Sequence, residues 1–235
     1  MFKVRLAILG ALALFIVSGI SASAASASGP FWHVGGTSLN GTRQIKLQSK
    51  GPLFLKVPGT LEIRCENSIS EGGTIEGNTT TQGQGKGRTL YSSCKVLVPG
   101  EEKCLVGDTL TNRGQIKTSP IKSYLAKAGQ TGIVEVFEPG QGNIFTQFNL
   151  VTGKSACAFK EVGAIGSAVA EVIPARVEGQ EGLISFPEKA ILKVIHEETE
   201  VTLPSLKTVG AVGTFSGVYA ARLATFPENF GAFET

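Results

Sequence analysis

The chain has 235 residues, a formal net charge of +3, two histidines and four cysteines. Its lysines and arginines are scattered singly. A nucleic-acid binder needs a concentrated positive footprint, so that class is excluded. Thirty glycines argue against long helices.

The N-terminus carries a three-part pattern. Lys3 and Arg5 precede an apolar run, Leu6 to Ile20, and a tract of small residues follows from Ser21 to Ser28. This is the layout of a secretory signal peptide. The run, at about 15 residues, is short for a membrane span. The signal is expected over residues 1–24, with cleavage after Ala24 or as late as Ala27. No cysteine lies near the cleavage region, which argues against a lipoprotein anchor. Loss of Lys3 and Arg5 lowers the formal charge from +3 to about +1. No other long apolar segment follows, so no membrane span is expected after signal removal.

Residues 25–42 are rich in glycine and serine and are expected as a flexible N-terminal segment, pinned by Phe31 and Trp32. Residues 43–235 are expected as a single β-rich domain. Leu53, Leu55 and Val57 alternate with Phe54 and Lys56, and Leu61, Ile63 and Cys65 alternate with Glu62 and Arg64. This is the period of a strand with one wet face, and it turns the Cys65 thiol inward. Pro58-Gly59 reads as the turn between them. Further strands are expected over 94–98, 121–126, 133–137, 144–151, 156–159, 169–173, 191–196 and 214–219, with turn signals at Pro99-Gly100, Pro139-Gly140, Thr152-Gly153 and Glu178-Gly179. Residues 190–198 also fit helical spacing, but their β-branched content favours a strand. Short strands with regular turn punctuation indicate an all-β sandwich or barrel. An antiparallel β-sandwich, Ig-like or jelly-roll-like, is the expected form.

The even cysteine count in an exported chain points to two disulfides. Three pairings of Cys65, Cys94, Cys104 and Cys157 are open, and the sequential one, Cys65–Cys94 and Cys104–Cys157, is expected. A zinc site lacks both C-x-x-C spacing and histidines.

The segments "LEIRCENSISEGGTIEG", "YSSCKV", "EEKC" and "GNIFTQFNLVTGKSACAF" together resemble uncharacterised exported four-cysteine β-rich proteins of the actinobacterial type. The resemblance spans roughly Leu61 to Pro174. The stretch "NTTTQGQGKGRT" between the first two cysteines is longer than that pattern has. The resemblance implies an exported β fold and carries no activity.

The search for chemistry yields few residues. Gly83, Gly85 and Gly87 surround Lys86, with Arg88 and Thr89 following. A phosphate loop needs Gly-x-x-x-x-Gly-Lys-Ser/Thr leading into a helix. Here Gly87 stands where the hydroxyl should be and Thr80 where the first glycine should be. The second near match, Gly153-Lys154-Ser155, has Phe148 at the first-glycine position. The first stretch reads instead as a solvated turn within a disulfide-closed loop, with Lys86 and Arg88 as its candidate binding residues. His33 and His196 are the only bases available to a serine or cysteine nucleophile. Glu135 and Glu171 each lie among apolar neighbours and are candidate inward-facing acids. His196, Glu197, Glu198 and Glu200 are a weak metal cluster, better read as a charged edge strand. The aromatic stretch Phe226, Phe230 and Phe233 is the place for an oligomer contact, or else core packing.

These readings describe a secreted or cell-envelope protein without a catalytic set, metal site or cofactor, serving as a binding or surface-structural module for an extracellular glycan or protein. The alternative is a secreted glycan-acting hydrolase using paired glutamates.

Overall fold

A computed structural model describes residues 29–234 except 79–81, 99–102, 108–112, 130–131, 152–156, 158, 175 and 226–227. The expected signal peptide therefore lies outside the described residues, as do Gly153-Lys154-Ser155 and Phe226. The described chain is all β, with no helix. The first strands are β1 (Phe31–Val34), β2 (Thr37–Ser38), β3 (Gly41–Ser49), β4 (Leu53–Val57), β5 (Leu61–Gly77) and β6 (Gln84–Val96). The middle ones are β7 (Leu105–Val106), β8 (Ile116–Lys117), β9 (Ile121–Ala128), β10 (Gly132–Pro139), β11 (Ile144–Val151), β12 (Glu161–Ile165) and β13 (Ala168–Ile173). The last are β14 (Gly182–Phe186), β15 (Lys193–His196), β16 (Thr199–Thr202), β17 (Lys207–Thr208), β18 (Ala211–Val212), β19 (Thr214–Leu223) and β20 (Phe230–Phe233).

The expected sandwich gives way to a closed barrel. Antiparallel pairing runs β3–β5–β6–β9–β10–β13–β14–β19 and returns to β3, an eight-strand ring. Closure satisfies the edge groups that two stacked sheets would leave open.

The long strands belong to two lobes at once. The first part of β5 pairs with β4, from Leu61 to Cys65, and the later part pairs with β3, from Ile69 to Gly77. β19 divides the same way, with Thr214 to Ser216 against β4 and Tyr219 to Leu223 against β3. At the change of partner stands Gly217, with φ 143°, where a Cβ would overlap Leu53. Within the part of β5 paired with β3, the register against β6 shifts at a bulge between Glu71 and Thr74, with Gly72 at φ 62°. Beyond the ring, β6 leads through β7, β11, β12 and β17 to β18 and curls over a second core.

Each lobe has its own apolar interior. One holds Trp32, Ile75, Leu125, Ile133, Val172 and Phe230. The other holds Leu61, Ile63, Val96, Val106, Phe148 and Val162 with three of the four cysteines, and Cys157 packs against it. A third, smaller cluster lies outside the barrel, where Val194 and Leu203 cover Val134, Val136 and Ala126. That cover explains why β10 is buried on both faces.

Both expected disulfides form. Cys65–Cys94 joins directly opposed residues of β5 and β6, and Cys104–Cys157 ties the β7 region to the segment after β11. Residues 31–42 are not a loose segment. β1 sits between β2 and β20, and Trp32 is 1% exposed with its indole N–H donating to Gln84 O at 3.0 Å. The burial of one large indole outweighs the local glycine content. No strand forms over 157 and 159, the described residues of the expected 156–159 run.

Candidate functional site: a cavity inside the barrel

The stretch with alternating glycines is not a turn. Residues 84–89 lie within β6, opposite Ser70 to Glu76 of β5. On a strand the period is two, so Gly83, Gly85 and Gly87 share one face and Gln84, Lys86 and Arg88 the other. The glycine face is inward. A Cβ on Gly83 would lie 2.7 Å from both Leu125 and Trp32, one on Gly85 2.5 Å from Ser123 Oγ, and one on Gly87 3.1 Å from Gly73. The glycines thus let neighbouring strands and side chains come close. Because β6 continues as strand, no helix N-terminus is there to receive a phosphate, and the expected solvated turn is replaced by barrel wall.

Inside the wall is a cavity of about 130 Å³ between the two lobes. Its lining is mostly apolar, including Ile45, Leu53, Phe137, Phe148, Phe186 and Phe215. Polar groups reach it at a few points. Tyr219 OH donates to Tyr91 OH at 3.2 Å. Burial pushes the Tyr91 hydroxyl up to about 12, and burial with the adjacent Tyr91 holds the Tyr219 hydroxyl well above its ordinary value. Both are neutral. Thr118 Oγ1 accepts from Thr89 N at 2.9 Å, and Thr146 Oγ1 donates to Lys117 O at 2.9 Å.

The one carboxylate among the described lining residues is Glu135, which is 6% exposed. Ser123 Oγ donates to its Oε1 at 2.6 Å. Burial pushes the Glu135 carboxyl up from 4.5 to about 7, with the Ser123 bond opposing the shift. Three adjacent strands create this arrangement. β9 supplies Ser123, β10 supplies Glu135, and β6 supplies a residue with no side chain, Gly85, beside both.

Glu171 does not join Glu135. It is exposed, because the register places Glu135 opposite Ala170 and Glu171 opposite Val134. That one-residue offset puts the two acids on opposite faces of the wall.

The remaining candidates are dispersed. Lys86 and Arg88 border the cavity but point outward, and Lys86 Nζ pairs with Glu76 Oε1 at 2.5 Å. His196 stacks on Tyr124 at 4.5 Å and meets the buried Gln82. In the amide orientation that satisfies both ends, the Gln82 nitrogen donates to Leu125 O at 2.8 Å and its oxygen accepts from Glu197 N at 2.9 Å. The acidic cluster is not a strand face. Glu197 and Glu198 form the two-residue turn of the β15–β16 hairpin, at φ 49° and 64°, and Glu200 pairs with Lys193 at 2.8 Å. Among the described residues no group of three potential ligands converges on a metal position.

His33 lies 3.2 Å from Ser38 Oγ through Nε2 and 4.0 Å from Glu178 Oε1 through Nδ1. The order resembles a nucleophilic triad. An acyl oxyanion would also need free N–H donors nearby. Gly36 N–H donates to both Glu178 oxygens at 2.9 Å, and Gly35 N–H donates to Asn229 O at 3.0 Å. His33 stacks on Phe233 at 4.4 Å, so the set locks β1, β2 and β20 together. Of the C-terminal aromatics, Phe230 is buried against Trp32 as part of the core, and Phe233 is half-buried.

No protein-family model matches the chain, and searches of curated proteins and of solved structures return no match.

Sequence reasoning singled out Glu135 but missed Ser123 and the cavity. The missed signal was the coincidence of small residues on inward faces: Gly85 and Gly87 on β6, Gly73 on β5, Ala168 on β13.

Proposed function

We propose that this is an exported binding protein of the extracellular space or cell envelope, and that it holds a small apolar ligand inside the barrel rather than on its loops. The cavity carries the reading. An apolar cavity of about 150 Å³ is enough to bind benzene, and this one is of similar size at about 130 Å³. The signal-peptide pattern and the two disulfides support an oxidising destination. The mainly apolar lining favours an apolar molecule over a glycan, which needs a polar, hydrogen-bonding surface. The hydrolase reading is weaker, since paired-acid chemistry needs a second carboxylate facing the first and Glu135 is the one carboxylate among the described lining residues.

The test is a titration of isotope-labelled, disulfide-bonded protein with toluene, followed by amide NMR shifts. Saturable shifts confined to residues around Phe137, Phe186 and Tyr219 are expected. Their absence up to the solubility limit of toluene would overturn the reading.

A further inference from the structure

The cavity has an asymmetry of charge that restricts its ligand. Among the described residues its lining holds one acid, Glu135, and no inward-facing cation. Lys86 is 63% exposed on its side chain and paired with Glu76, while Lys117 pairs with Glu71 at 2.6 Å. Arg88 is exposed on the outer face of β6, opposite Glu71. The other ionisable lining groups, Tyr91 and Tyr219, are neutral and bonded to each other. From the neighbouring strands Glu135 faces Ser123 of β9, Gly85 of β6 and the Ala170 position of β13, none of them charged.

A second acceptor lies close by. One point, the position a Cβ would take on Gly85, is 3.3 Å from Glu135 Oε1 and 3.2 Å from Thr74 O. Ser123 Oγ lies 2.5 Å from the same point. The polar corner is therefore built of oxygen atoms: the Glu135 carboxyl, the Thr74 carbonyl and the Ser123 hydroxyl.

We propose that the cavity binds a small apolar molecule bearing one protonated amine, with the ammonium seated against Glu135 and Ser123 Oγ; this rests on the cavity reading above. An ammonium offers three donors and no acceptor, which matches a corner of oxygens. Stripping the ammonium of water is costly. Glu135, however, is already desolvated in the folded protein, so only one of the two ions pays that cost on binding. A carboxylic acid would bring a second carboxyl beside the first, where like charges repel. A purely apolar molecule would add no partner for the buried Glu135 carboxyl.

Binding an ammonium favours the ionised carboxyl, so the affinity depends on pH. Three one-ring probes separate the possibilities: toluene, benzylamine and benzoate, titrated into the disulfide-bonded protein at pH 5.5 and pH 8 by calorimetry. Benzylamine is expected to bind most tightly, with affinity on the order of tenfold higher at pH 8, as the competent ionised form becomes populated. Toluene should show little pH dependence. Glu135→Gln is expected to lower benzylamine affinity about tenfold at pH 8 and abolish its pH dependence, leaving toluene unchanged. Benzylamine binding no tighter than toluene, or benzoate binding tightest, would overturn the amine proposal while leaving the cavity reading intact. Binding of none of the three would overturn both. The wild-type pH comparison keeps the test valid should the variant fold poorly.

Discussion

Replacing Glu135 by Gln should stabilise the protein at neutral and alkaline pH. The carboxyl's ordinary value is 4.5, and burial pushes it up to about 7 in the folded state. Between those values the native protein keeps a proton that the unfolded chain has released. Stability therefore falls as pH rises through this window and levels off above about 7. A shift of this size corresponds to roughly 3 kcal/mol across the window. The substituted amide would preserve the shape and still accept from Ser123 Oγ, but it has no proton to lose. Wild type and Glu135→Gln should thus be nearly equal at pH 4.5, with the variant ahead by about 3 kcal/mol at pH 8. Urea unfolding followed by the fluorescence of Trp32, the chain's one tryptophan, reads the difference directly. Glu181, held below the usual carboxylate range by bonds from Lys50 and then Arg222, acts in the opposite sense. Its contribution is present above the ordinary value and is lost below it, outside this window. Parallel stability–pH curves for the two proteins would refute the account of Glu135 as a desolvated acid.

Other expectations follow from packing. Gly85→Ala places a methyl 2.5 Å from Ser123 Oγ and 3.2 Å from Thr74 O, so it should cost about 1–3 kcal/mol in urea unfolding and shift the Glu135 pH window upward as the Ser123 bond is lost. Trp32→Ala should cost about 3–5 kcal/mol, measured by far-UV circular dichroism because the fluorophore is removed. Replacing Cys65 and Cys94 together by Ser opens a link with a sequence separation of 29, and thermal unfolding should show a loss of about 3–4 kcal/mol. Lys86→Ala with Arg88→Ala should change stability by no more than about 0.5 kcal/mol and leave toluene binding unaltered, since both side chains point outward.

Alternation was enough to read the strand class. Leu53 to Val57 and Leu61 to Cys65 appear where their period-two pattern puts them, and the inward Cys65 meets Cys94 as expected. Closure into a barrel was not legible, because it depends on which distant strands meet. The pairing of β19 with β3 joins residues near opposite ends of the described chain, and no local pattern encodes that register. Glu171 shows the same limit. Its sequence surroundings match those of Glu135, yet a one-residue offset across β10 and β13 sends it to solvent.

The glycines carry the clearest lesson about the site. Locally, "GQGKG" has the composition of a turn, because glycine weakens a strand and supplies no packing of its own. In the barrel the same absence of side chains is what the position requires. β6 runs in the wall where Trp32, Leu125, Ser123 and Gly73 already fill the space its inward side chains would take. The polar alternates, Gln84, Lys86 and Arg88, are then solvated on the outer face. A strand with glycine inside and charge outside lacks the apolar half of the usual alternation, so a hydrophobicity pattern reports it as a loop. The carboxyl of Glu135 sits against this bare strip, and a side chain on Gly85 would displace the serine that holds it. The glycines compared with a phosphate loop therefore make room for the buried acid and the serine bonded to it.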